Sequence, residues 1–143
     1  MNQPRLTQID HLVLTVSDID TTIAFYRDVL GMEHAPFVVA DGSTRHALRF
    51  GPHKINLHLA GAEFDPKARA PSPGTADLCL LTDADLDKWQ AHFAATHTRI
   101  EEGPVPRSGA TGPITSLYVR DPDGNLIEIS VPQPVAPPRA DRS

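Results

Sequence analysis

Residues 121–130, reading DPDGNLIEIS, decide how the rest of the chain is read. Proline at 122 presets φ at about −65°, Asp123 suits a turn and Gly124 accepts positive φ, so DPDG predicts a tight reversal. The stretch that follows alternates. Ile127, Ile129 and Val131 fall on one face of a strand and leave Leu126, Glu128 and Ser130 on the other. A lone carboxylate on such a strand is either solvated or engaged by something, because an unpaired buried charge is very costly. The other strands decide which.

Working back from the turn, residues 114–120 read as the strand that feeds it. Residues 76–81 form a further strand, residues 83–95 a helix with Leu86, Trp89 and Phe93 on one face, and residues 99–102 a short strand. The PRSGATG segment, carrying Arg107, reads as a Gly-rich loop. In the first half, residues 9–16 alternate as a strand. Ser17, Asp18 and Asp20 open a helix whose Ile19, Ile23, Tyr26 and Leu30 share a face, and Gly31 stops it. Three strands follow, at residues 33–40, 46–50 and 54–59, separated by the turn signals DGS and GPH.

Both halves therefore read β-α-β-β-β. The spacing from Ser17 to Asp83 equals that from His11 to Asp77, and the spacing from Pro52 to Pro122 equals that from His58 to Glu128. These matches predict an internal repeat. The expected fold is α+β: two βαβββ modules forming a curved mixed sheet around a cleft, with helices outside. The expected organisation is a single domain over residues 1–132, with modules at about 8–60 and 76–132 and an irregular, ordered connector at 61–75. The Pro-rich tail, residues 133–143, reads as disordered or extended.

Composition narrows the function classes. Thirteen basic residues, scattered along the chain, against eighteen acidic ones give a net charge of −5, which argues against nucleic acid as a partner. The start, MNQPRLTQ, lacks a signal-peptide core and no run has the length of a membrane span, so a soluble cytoplasmic protein is expected. A single cysteine, Cys79, excludes an intramolecular disulfide; within LCLL it reads as buried filler.

Strand parity then sorts the chemistry. The rows Leu12–Leu14–Val16, Ile55–Leu57–Leu59 and Leu78–Leu80 face the helices. The opposite faces bring His11, His58, Asp77 and Glu128 together, with Asn56 and Cys79 beside them. Two imidazoles and two carboxylates suit one divalent cation such as Zn, Ni, Mn, Fe or Co. The competing reading is four separately satisfied polar residues on a solvated face.

These residues resemble the vicinal oxygen chelate superfamily, which includes glyoxalase I, fosfomycin-resistance thiol transferases, bleomycin-binding proteins and extradiol dioxygenases. IDHLVLTVSDIDTTIAFYRDVLGME is similar to its opening unit and YVRDPDGNLIEIS to its closing one, and the likeness covers nearly all of residues 8–131. KINLHLAGAEFDPKA and EEGPVPRSGATGPITSLYVRDPDGNLIEIS resemble glyoxalase-domain proteins related to lactoylglutathione lyases. The resemblance implies metal ligands at His11 and Glu128, and at Asp77 where many members carry histidine. On the fourth strand the choice lies between Asn56 and His58; alignment on the turn prolines favours His58, and a turn two residues longer would favour Asn56.

The implied activity is that of a metal-dependent lyase, isomerase or thiol transferase acting on a small oxygen-rich molecule, with Lewis-acid stabilisation of an oxyanion or enolate. Glu128 or Asp77 would double as the proton-transfer base, while Arg107, Tyr118 and Asn56 would bind substrate. A drug-sequestering binder without turnover is the alternative, and an extradiol dioxygenase the third reading. GATG lacks the context of a phosphate loop and Ser108 that of a nucleophile elbow. A homodimer is the assembly implied.

Overall fold

The computed structural model describes residues 2–134, so the expectation for the tail falls, beyond residue 134, outside the described residues. The chain divides into two compact units, Met1–Ala76 with Asp121–Asn125, and Asp77–Arg120 with Leu126–Ser143. The architecture is α+β, and each unit is built on the expected βαβββ plan.

In the first unit, β1 (His11–Val16) leads into α1 (Ile19–Ala24). The helix is capped by Asp18, whose side chain accepts the Thr21 N–H at 2.8 Å. Ser17 instead gives its N–H to the Asp123 carboxylate. Residues Phe25–Val29 continue α1 as a wider turn, where the Leu30 N–H reaches back to the Phe25 carbonyl at 3.3 Å. The strand expected at 33–40 is two short pieces, β2 (Glu33–His34) and β3 (Phe37–Val38), each paired antiparallel to β4 (Thr44–Phe50). Then β5 (His53–Leu59) pairs antiparallel with β4 and parallel with β1, giving the order β1-β5-β4-β2. Leu14, Val16, Ile55 and Leu57 bury one face of this sheet, and Ile23, Tyr26 and Leu30 of the helical segment are buried too. Such side chains contribute roughly 1.5–3 kcal/mol each on burial.

In the second unit, β6 (Asp77–Leu81) is followed by α2 (Leu86–Ala95), which starts later than the sequence pattern predicts. Asp85, not Asp83, takes the cap position, and it makes no side-chain cap bond. The intervening Thr82 is held otherwise, its hydroxyl accepting the Trp89 indole N–H at 2.9 Å. The third strand is also displaced. β7 runs over Glu102–Ser108 and pairs antiparallel with β8 (Pro113–Arg120), so Arg107 lies on a strand and not in a loop. β9 (Leu126–Pro132) sits between β6 and β8, completing the order β6-β9-β8-β7. Leu117, Val119, Ile127, Ile129 and Phe93 are among the buried residues of this unit.

The turn at residues 121–125 belongs to the first unit although it joins strands of the second. Gly124 has φ of 86° as the turn demands. Asp121, 6 % exposed, collects the N–H groups of Asp123 and Asn125, the Asn125 amide at 2.7 Å and the Tyr26 hydroxyl at 2.7 Å. Among the described residues no helix is long and apolar enough to cross a membrane.

Candidate functional site: a polar face on the second sheet

Register decides which side chains meet. In the second unit β6 and β9 run parallel with Asp77 beside Leu126 and Cys79 beside Glu128. Across β8 and β9, Tyr118 lies beside Glu128 and Ser116 beside Ser130. Paired residues share a face, so Asp77, Cys79, Glu128, Ser130, Ser116 and Tyr118 form one polar surface.

Hydrogen bonds join Glu128, Ser116, Ser130 and Cys79 on that surface. Ser116 Oγ, fully buried, donates to Glu128 Oε2 at 2.5 Å. A hydroxyl has one proton, so Ser116 must accept from the Ser130 hydroxyl 2.7 Å away, and Ser130 from the Cys79 thiol at 3.2 Å. On the other side, Arg107 Nε donates to Tyr118 Oη at 2.9 Å, while its terminal nitrogens reach the Pro106 carbonyl and Glu102. Partial burial pushes the Tyr118 phenol above its ordinary value, the Arg107 bond opposes this, and the Glu128 charge adds to it. Burial likewise raises the Cys79 thiol, against the Ser130 hydrogen bond and with the Glu128 charge, which keeps it protonated at neutral pH. Cys79 is exposed and not the buried filler its apolar neighbours predict, because strand alternation turns it away from Leu78 and Leu80.

The first unit distributes its expected donors differently. His11, Asn56 and His58 do share one face of β1 and β5. His11, however, lies beside Lys54, and His58 lies beside Thr15, four residues further along. The two imidazoles are therefore about 13 Å apart along the strands, too far to share one ion. The position that matches Glu128, two residues beyond the partner of the opening strand's donor, is Asn56. Alignment on the turn prolines misplaces this by two residues; the pairing that matters is with β1. Asn56 Oδ1 is buried without a hydrogen-bond partner. His11 is exposed, with Nδ1 2.8 Å from Asp10. His58 stands edge-on to Phe64, and burial with the nearby Arg45 charge holds its imidazole below the ordinary value, against Glu63.

The expected quartet thus does not fit a metal centre as a set. His58 is out of register with His11, and among the described residues no three His, Cys, Asp or Glu side chains are gathered to hold an ion. What sequence reasoning missed is the role of Ser116 and Ser130, which parity places on the Glu128 face but which only the cross-strand register brings within bonding distance.

Residues 8–129 match the model of the Glyoxalase/Bleomycin resistance protein/Dioxygenase superfamily. The chain is 54 % identical over 125 residues to Virulence protein STM3117 of Salmonella typhimurium, covering 87 % of this chain and 84 % of that protein. The crystal structure of STM3117 superimposes with a TM-score of 0.84 at 51 % identity, over 91 % of this chain and 100 % of that one. Glyoxalase domain-containing protein RDO1 of Mycosarcoma maydis is 50 % identical over 128 residues, 90 % of this chain and 70 % of that protein. The metallothiol transferase FosB of Staphylococcus epidermidis is 27 % identical over 124 residues, 87 % of this chain and 81 % of that protein. Two βαβββ units, the closing turn and strand, and these matches together make the chain a member of the Glyoxalase/Bleomycin resistance protein/Dioxygenase superfamily.

Proposed function

We propose that this chain is an enzyme of lyase, isomerase or thiol-transferase type that acts on a small oxygen-rich molecule at the polar face of its second sheet. The observation that carries the reading is the line Arg107–Tyr118–Glu128–Ser116, in which a cation, a phenol and a carboxylate sit side by side on adjacent strands. Arg107 attracts an anionic or carbonyl oxygen. The Tyr118 hydroxyl, already accepting from Arg107, directs its own proton outward or to Glu128. Ser116 occupies Glu128 Oε2, which leaves Oε1 for Tyr118 and the substrate. The carboxylate takes a proton from the carbon beside a substrate carbonyl and returns it to the neighbouring atom; Arg107 and Tyr118 hold the enolate oxygen between the two transfers.

The test is turnover of hemithioacetals formed from ketoaldehydes and thiols, together with thiol addition to a small epoxide, by wild type and Glu128→Gln. The expected result is turnover that drops by about 10²-fold or more in the variant, the usual scale for a proton-transfer group. Undiminished turnover in Glu128→Gln would refute the assignment. Both assays are run metal-free and with Zn, Ni, Mn, Fe and Co ions, because Asp77 and Glu128 lie diagonally on one face and offer two carboxylates to a cation. Turnover only with metal would replace the acid–base reading with a metal-dependent one, and saturable binding without turnover would make the protein a drug-sequestering binder. A homodimer is part of the proposal, supported by Leu12 and Leu81, which are 39 % and 64 % exposed on edge strands β1 and β6; light scattering on the purified protein measures it.

A further inference from the structure

The first unit contains a cavity of about 370 Å³ that shares no residue with the Glu128 face. Its floor is the β1–β5 face at Val13, Thr15 and His58, and its wall is the irregular segment between β5 and β6. That segment is fastened at both ends. Near its start, the Phe64 ring lies 3.5 Å beneath the Arg45 guanidinium and edge-on to His58. Near its end, the Ala76 N–H donates to Asn125 Oδ1 at 2.8 Å, and Gly74 passes so near the Asp123 carbonyl that a Cβ there would lie 2.6 Å from it. Between the anchors Thr75 Oγ1 donates to the Ser72 carbonyl at 3.0 Å. The wall is therefore pre-formed, which removes much of the ordering cost of binding.

The lining has one sign of charge. Lys67 supplies an ammonium group, Thr15 and Ser72 supply hydroxyls, and among the described residues that line the cavity none is acidic. Glu63 stands outside the lining, its carboxylate accepting the Gly61 N–H at 2.8 Å, and its charge acts on Lys67 and His58 from there. Val13, Ala68, Ala70 and Pro71 give an apolar remainder. Each water takes about 30 Å³, so the space admits about a dozen waters or a molecule of roughly ten to fifteen non-hydrogen atoms.

We propose that this cavity is a second binding site, which takes a small carboxylate with a short apolar body. The carboxylate lies against Lys67 and the Thr15 hydroxyl, and the apolar body against Val13, Ala70 and Pro71.

Benzoate and 4-methylpentanoate are the probes, titrated into the ¹⁵N-labelled full-length protein, with benzamide and benzylamine as neutral and cationic counterparts. The expected result is saturable binding of both carboxylates, with shifted amides confined to residues 66–75, Thr15 and His58. Lys67→Met, an exposed position whose change leaves the fold intact by circular dichroism, weakens binding about tenfold, the loss of one charge-assisted hydrogen bond. Ala70→Phe fills the space and abolishes it. The proposal is overturned if neither carboxylate saturates, if benzylamine binds as tightly as benzoate, if Lys67→Met binds unchanged, or if the shifted amides fall on β8 and β9.

Discussion

Replacing Tyr26 by Phe tests the device that holds the closing turn. Tyr26 is fully buried, and its hydroxyl donates to Asp121 Oδ2 at 2.7 Å. Phenylalanine keeps the ring and its edge-to-face contact with Phe25, at 5.3 Å between centroids, so the change isolates one hydrogen bond. The acceptor is a nearly buried carboxylate, for which such a bond contributes about 1.5–3 kcal/mol. Asp121 retains the N–H groups of Asp123 and Asn125 at 2.9 Å and the Asn125 amide at 2.7 Å, so it is not orphaned. That places the expected loss near the middle, about 2 kcal/mol, or a fall in melting temperature of roughly 4–8 °C for a chain of this size. Urea unfolding followed by far-UV circular dichroism measures it, with Asp121→Ala and the double variant closing a cycle. Because the carboxylate is then absent, Tyr26→Phe should cost little in the Asp121→Ala background. A loss below about 0.5 kcal/mol in the otherwise intact chain, or an equal loss in both backgrounds, would refute the assignment of that energy to the Tyr26–Asp121 bond.

Gly103→Ala should destabilise by more than about 2 kcal/mol, because φ there is 115° and a Cβ would collide with the Ser116 carbonyl; thermal unfolding checks it. Ser116→Ala should leave the fold intact but remove the donor to Glu128 Oε2, lowering turnover of the hemithioacetal probe by about tenfold in kcat with little change in KM. Stability should also fall with pH. His34, whose Nε2 lies 2.9 Å from His46 Nδ1, has its pKa held below the ordinary 6.5 by burial, by His46 and by Arg27, with Asp20 opposing. His58 is lowered as well. A depressed histidine binds its proton more readily in the unfolded chain, so this stability is complete above 6.5 and is lost as pH falls from there through the folded-state values. Melting temperature between pH 7.5 and 5 should decline, and His34→Gln should flatten the slope; an unchanged slope would exclude His34 as a cause.

Local rules carried much of the fold. The period-two alternation of β1, β5, β8 and β9 is written residue by residue, so the face of Glu128 and that of Asn56 could be assigned without a partner strand. Turn chemistry was equally legible at Gly124, where φ is 86°. The misses share a cause. The strand expected at residues 99–102 lies instead at Glu102–Ser108, where two prolines and a glycine mask its strand character and pairing with β8 supplies what its propensity lacks. α2 starts at Leu86 behind the Asp85 cap, and Thr82 before it is tied to the helix by the Trp89 indole.

What the sequence determined by itself is therefore the two βαβββ units, the reversal at residues 121–124, and the set of polar residues on each strand face. Tertiary structure alone decided how far each strand slides against its neighbour. Parity is a property of one strand, whereas register between β1 and β5, or β6 and β9, is fixed by the packing of everything the chain places between them. That slide separates His58 from His11, gives Asn56 the place equivalent to Glu128, and sets Ser116 and Tyr118 beside Glu128. It turns an acid that alternation merely exposes into one held by a serine and flanked by a phenol.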